Sequence, residues 1–140
     1  QAVLAKKNVT WTVAVTGAEP EKASQIITQA LRDNPNIKNV LCTGQADTEG
    51  AGLTVERHFA GKGYAVAGFD LSPNILRLIK AGHIRFTIDQ QPYAQGFYPV
   101  VQLTLYKRLG ILPANIDAGA GVIDQSNVEN VQDLNKKGYR

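Results

Sequence analysis

Five short apolar runs punctuate the chain, with a stretch of helical spacing after each. They are VTWTVAV (9–15), NVLCT (39–43), YAVAGF (64–69), a run over 83–88, and AGAGVI (118–123). As a set they lack the long polar alternation of strands with one wet face. Such runs, separated by helices, call for an α/β fold: a Rossmann-like, mainly parallel sheet with helices on both faces. In the first run Val9, Trp11, Val13 and Val15 share a face, which predicts a strand with Trp11 in the core.

The intervening stretches carry their own start and stop signals. Ala18-Glu19-Pro20 opens a helix with Ala23, Ile26, Ile27, Ala30 and Leu31 at three- and four-residue spacing, and Asn34-Pro35 ends it. Residues 44–52 read as a polar, glycine-rich turn that feeds a helix over 53–60. Ser72-Pro73 caps the next helix, which turns Ile75, Leu76, Leu78 and Ile79 inward before Gly82. A longer helix spans 92–108 with Pro99 inside it, where a kink is expected. Ser126 and Glu129 form a capping-box pattern for a last helix over 126–135. The glycines of 118–123 place that strand at an edge or against other backbone.

Size and composition narrow the class. At 140 residues, 44% hydrophobic and 19% charged, the chain is one globular domain's worth. The net charge of +3 is dispersed apart from Lys107-Arg108 and the tail after Lys136, so no nucleic-acid partner is implied. Cys42, the single cysteine, leaves no internal disulfide and sits in an apolar run, as a small core residue would. No apolar run approaches the ~20 residues that span a bilayer. No signal-peptide pattern or initiating Met opens the sequence, and residues 1–7 read as the end of a helix that begins upstream.

In sheets of this class ligands sit beyond the carboxyl ends of the strands. The residues there are Thr16-Gly17, then Thr43-Gly44-Gln45-Ala46-Asp47, then Asp70, then Asp89-Gln90-Gln91. Lysine, arginine and histidine are absent from this set. The glycines of 44–50 fit neither G-x-G-x-x-G nor the P-loop, and no G-x-S-x-G is present. His58 and His83 fall away from the rim, so no triad assembles and no catalytic residue is assigned. A metal site would need Asp47, Glu49, Asp70 and Asp89 to converge, and a receiver domain would need an acidic pair where Thr16-Gly17 stands. Carboxylates and amides without cations suit neutral polyols, since a carboxylate accepts from two adjacent hydroxyls and an amide both donates and accepts. For Gln90 two readings stay open: a hydrogen-bonding head at a strand end, or a turn cap beside Pro92.

The succession GFDLSPNILRLIKAG, FTIDQQPYAQGFYPV and NIDAGAGVIDQSNVENV resembles the carboxyl-terminal half of periplasmic sugar-binding proteins. These are the type I solute-binding proteins of ABC importers, the ribose- and glucose-binding proteins among them. The resemblance implies Asp70, Gln90 and Asp47 as ligand contacts for a monosaccharide or polyol, with Gln45 and Glu19 as further candidates. It implies no cofactor, a periplasmic location and an ABC permease in the inner membrane as partner. Residues 1–90 and 118–140 would form the second lobe. Residues 91–117 would cross a hinge at Gln90, Gln91, Asp117 and Ala118 to pack on a first lobe that this sequence lacks. The helix face formed by Tyr93, Phe97, Val100, Val101 and Leu105 would then stand exposed, which predicts self-association through 92–108. The same fold also serves effector domains of sugar-responsive transcription regulators, the competing reading.

Overall fold

The computed structural model describes residues 2–7, 9–119 and 121–139. A short helix α1 (Ala2–Lys6) precedes α2 (Pro20–Asp33), β1 (Asn39–Leu41) and α3 (Gln45–Thr54). A single π-helical stretch, Val55–Phe59, extends α3, followed by β2 (Ala65–Phe69), α4 (Pro73–Lys80) and β3 (Phe86–Asp89). The chain ends with α5 (Pro92–Leu109), β4 (Gly121–Asp124) and α6 (Val128–Lys136). The sheet order is β1-β2-β3-β4, with the first two pairings parallel and β4 antiparallel to β3. This is the mainly parallel α/β architecture expected from the alternation of runs.

The register sets Val40 opposite Val66, and Gly68, Thr87 and Ile123 in one row across three strands. That face is closed: Val66, Gly68, Thr87 and Ile123 are buried. Ile75, Leu78, Ile79 and Ile84 lie in the same core and are completely buried. Two glycines let α3 come in close. A Cβ at Gly68 would strike the side chain of Thr48, and one at Gly50 would stand 2.7 Å from the carbonyl oxygen of Pro20 on α2. Helices at such short separation meet through small side chains, and here they are hydroxylic. Thr28 Oγ1 donates to Thr54 Oγ1 at 3.2 Å, Thr54 Oγ1 donates to the Ser24 carbonyl at 2.9 Å, and the Ser24 and Thr54 hydroxyls lie 3.0 Å apart. Each buried hydroxyl thereby has a partner, as burial demands.

The structure departs from the sequence reading in five places. The run 9–15 forms no strand: Val9, Trp11, Val13 and Val15 are all exposed, Val15 by 85%. Residues 12–16 lie beside β1, yet no ladder joins them to it. Alternation of side chains is compatible with an unpaired extended segment; only hydrogen bonds make it a strand. Second, α3 begins at Gln45, eight residues before the expected helix start. The Asp47 carboxylate takes the Gly44 and Thr43 amides and so caps it. Third, β3 begins at Phe86 rather than residue 83, because the amides of Gly82, His83 and Ile84 close the end of α4 on Ile79 and Leu78 carbonyls. Fourth, the last strand is Gly121–Asp124, an edge strand as its glycines suggested. Fifth, Ser126 does not cap the final helix. Its hydroxyl and amide donate to Asp124 Oδ1, and Glu129 pairs with Lys80. The Ser72 cap does form, its oxygen accepting from the Ile75 amide at 3.1 Å, and α5 runs through Pro99 without interruption.

Candidate functional site

The carboxyl ends of β1, β2 and β3 lie side by side on one rim, because the three strands are parallel neighbours. The parallel ladder continues one residue past β2: the Asp70 amide donates to the Ile88 carbonyl at 2.9 Å. This brings the two central candidates together. Gln90 Nε2 donates to Asp70 Oδ1 at 3.0 Å, and both residues are half-buried. A carboxylate held by an amide through one oxygen keeps lone pairs on the other for a hydroxylated ligand.

Both strand ends turn in an uncommon way. Asp70 has φ 69° and Gln91 has φ 52°, the only non-glycine residues with positive φ among those described. The left-handed region is disfavoured for side chains with a Cβ, least so for Asp and Asn. After β3, the buried Asp89 carboxylate accepts from the Gln91 amide at 2.8 Å, while Gln95 Nε2 donates to the Gln90 carbonyl at 2.6 Å. These contacts fix the reversal from strand into α5 through the backbone of Gln90 and Gln91, with Asp89 and Gln95 as the side-chain partners, while the Gln90 side chain faces Asp70.

At the end of β1 an open cleft of about 730 Å3 lies between residues 14–18 and the start of α3, lined by Thr16, Thr43, Gln45 and Asp47. Gln45 is exposed there. Asp47 has less to offer: Oδ1 accepts from the Gly44 amide at 2.8 Å, and Oδ2 accepts from the Thr43 amide at 2.7 Å and hydroxyl at 3.3 Å. Its first duty is to shape the loop. Glu19 stands exposed at the start of α2, outside the lining of the cleft. The two remaining hinge candidates lie on the chain returning from α5, ahead of β4. Asp117 accepts from the Gly119 amide at 2.9 Å, and Ala118 lies with Ala94, Tyr98 and Gln102 between α5 and the returning chain.

Two residues near Asp70, Thr48 and Thr87, escaped the sequence reading, and a third, Glu49, entered it only as a possible metal ligand. Thr48 Oγ1 accepts from the Phe69 amide at 3.0 Å, and Thr87 Oγ1 donates to the Asp70 carbonyl at 2.8 Å. Glu49 accepts from Ser72 Oγ at 2.6 Å and Asn74 Nδ2 at 2.8 Å. The visible signal was polarity inside the apolar succession FTID and in the α3 stretch mistaken for a turn. Cys42 is buried, and burial pushes its thiol up to about 12, the setting of a core residue rather than a nucleophile. Among the described residues no three His, Cys, Asp or Glu side chains gather as metal ligands. No helix among them is long and apolar enough to cross a membrane.

The mainly parallel α/β architecture matches one lobe of a type I periplasmic binding protein. The chain belongs to that family: residues 1–108 match the family described as periplasmic binding protein domain. It is a family of solute binders, whose location is extracytoplasmic. The xylose/arabinose-binding protein XylF of Sulfolobus acidocaldarius is 34% identical over 124 residues, covering 84% of this chain and 31% of that protein. Among solved structures, a carbohydrate transporter from Acidothermus cellulolyticus 11B in complex with myo-inositol is 29% identical, with a TM-score of 0.75 over 90% of this chain and 44% of that one. An ABC transporter solute-binding protein from Agrobacterium vitis, bound with alpha-D-tagatopyranose, shares the fold at 23% identity, with a TM-score of 0.78 over 99% and 46% of the two chains. The chain thus spans about a third of the curated relative and less than half of these solved chains.

Proposed function

We propose that this lobe is half of a two-lobed binding protein that closes on a neutral monosaccharide or polyol and presents it to an ABC permease from the periplasmic side. One observation carries the reading: the Asp70–Gln90 hydrogen bond, which joins an acidic and an amide side chain at adjacent strand ends. Asp70 accepts from ligand hydroxyls through its second oxygen, and Gln90 supplies the neighbouring amide. Gln45 offers an exposed amide in the cleft at the end of β1, the strand next to β2, and Asp47 contributes what its loop contacts leave open. The relatives' sugars and inositol share the vicinal hydroxyls that such acceptors fit.

Residues 1–90 and 118–140 form the second lobe in this reading, and 91–117 cross to the first. The state of α5 supports it. Tyr93, Phe97, Tyr98, Val100, Leu103 and Tyr106 cover it on all sides, yet none of its 18 residues is buried. A helix apolar all round belongs inside a larger body. The left-handed turn at Gln91 is where the chain would flex as the lobes close.

The test is calorimetric titration of the two-lobed protein with xylose, arabinose and myo-inositol. Asp70→Ala is expected to weaken the bound sugar by about 2–4 kcal/mol, through loss of a charge-assisted acceptor and the hydroxyls left unpaired. Affinity within twofold of the parent would remove Asp70 from the site and the reading with it.

A further inference from the structure

We propose that Thr48, Glu49 and Thr87 form a buried cradle that sets the direction of the Asp70 carboxylate, and so act as positioning residues for the ligand. The inference rests on the sugar-binding reading of Asp70. It starts from the conformation of that residue. With φ 69°, Asp70 occupies a backbone region that its side chain does not favour, so surrounding contacts must hold it.

Those contacts come consecutively along residues 69–72. Thr48 Oγ1 takes the Phe69 amide, Thr87 Oγ1 donates to the Asp70 carbonyl, and Glu49 Oε2 takes the Ser72 hydroxyl. Ser72 Oγ also accepts from the Ile75 amide, so Glu49 fixes the N-cap of α4, two residues beyond Asp70. Thr48 and Thr87 are wholly inaccessible, and Glu49 is nearly so. Their neighbours on that sheet face are Val66, Gly68 and Ile123. Valine would fill either threonine's place in shape, and that of Thr87 in β-propensity as well. What it would lack is the hydroxyl: that of Thr87 donates to the Asp70 carbonyl, and that of Thr48, whose proton goes to the Gly44 carbonyl at 2.6 Å, takes the amide just before Asp70. Gly68 belongs to the device, since any side chain there would displace Thr48.

The experiment compares Thr87→Val with Thr87→Ser. In this chain the strong amide–Hα nuclear Overhauser effect within residue 70 reports its positive φ. In the two-lobed protein, titration with xylose, arabinose and myo-inositol reports affinity. Thr87→Val is expected to weaken that effect at residue 70 and to lower affinity about tenfold, and Thr87→Ser to restore both. An unchanged effect and affinity within twofold in Thr87→Val, while Asp70→Ala binds poorly, would overturn the cradle and leave the sugar site standing. If Asp70→Ala binds normally, the sugar reading fails, and the signal at residue 70 still decides the cradle. Should Thr87→Val not fold, Glu49→Gln carries the same two readouts.

Discussion

Helices α3 and α5 reverse what their compositions suggest. α3 reads QADTEGAGLT, with one large apolar residue, and seven of its ten residues are buried; α5 is rich in aromatic and branched residues and buries none of its 18. Burial here follows the distance at which a partner can approach. Glycine at position 50 and hydroxyls at 48 and 54 let α3 close on α2 and the sheet, and glycine at position 52 makes room for the Leu78 and Ile84 side chains. α5 has large side chains and, among the described residues, only the Tyr139 ring beside Tyr93 and the returning chain beside Tyr98 to receive them, which leaves every one of its residues unburied. The lesson is that hydrophobicity reports a demand for cover, whereas small residues report that cover is already in place.

The contrast can be broken or sharpened at four points. The strongest effect lies at Cys42, beneath α3. Burial first, then the Asp47 charge, raises its thiol from 9.0 to about 12, so the native thiolate fraction at neutral pH falls about a thousandfold below that of an open thiol. Alkylation by iodoacetamide should therefore wait for unfolding. The unfolded chain loses this proton first, so the group's contribution to stability declines as pH rises from 9.0 towards 12. Rapid labelling of folded protein at pH 8 would show α3 to be loosely seated.

Next comes Gly50→Ala, whose methyl would sit 2.7 Å from the Pro20 carbonyl and 2.9 Å from the Ser24 amide nitrogen. Backbone cannot yield cheaply, so overpacking of about 1–3 kcal/mol is expected in urea unfolding, outweighing alanine's better helix propensity. A gain in stability would mean that the helices stand farther apart. Thr54→Val should follow at about 1–2 kcal/mol, because Thr28 and Ser24 lose a shared hydroxyl partner inside the interface. Smallest is Leu103→Gln on α5, expected to move the unfolding free energy of this chain by about 0.5 kcal/mol or less. A large loss there would show α5 packed on something, which a concentration-dependent sedimentation profile would identify as a second copy.

The same contrast explains what the sequence made legible. Apolar runs marked β2, and the Ser72-Pro73 cap and Gln91-Pro92 junction marked α4 and α5 within a residue or two. The meeting of Asp70 and Gln90 was legible because parallel neighbouring strands bring their carboxyl ends to one rim. The cradle was not, since Thr87 inside FTID looks like any β-branched strand residue. Nor was the start of α3, whose glycines read as a turn because their purpose, contact of Gly50 with Pro20 and of Gly52 with Ile84, lies about thirty residues of chain away in each instance. Segment 9–15 failed for the opposite reason. Its pattern is local and complete, but the hydrogen bonds that would make it a strand depend on the neighbouring edge.

The π-helical stretch at Val55–Phe59 bears on how this lobe can vary. Its adjacent residues reach in different directions: Glu56 pairs with Arg77 of α4 and Arg57 with Glu21 of α2, while Phe59 meets the Tyr64 ring at 4.7 Å. Dropping a single residue there would swing everything after it by about 100° around the axis. Three separate attachments would go out of phase at once. Length changes should accordingly be tolerated in the Gly61–Gly63 loop, and rejected one turn earlier.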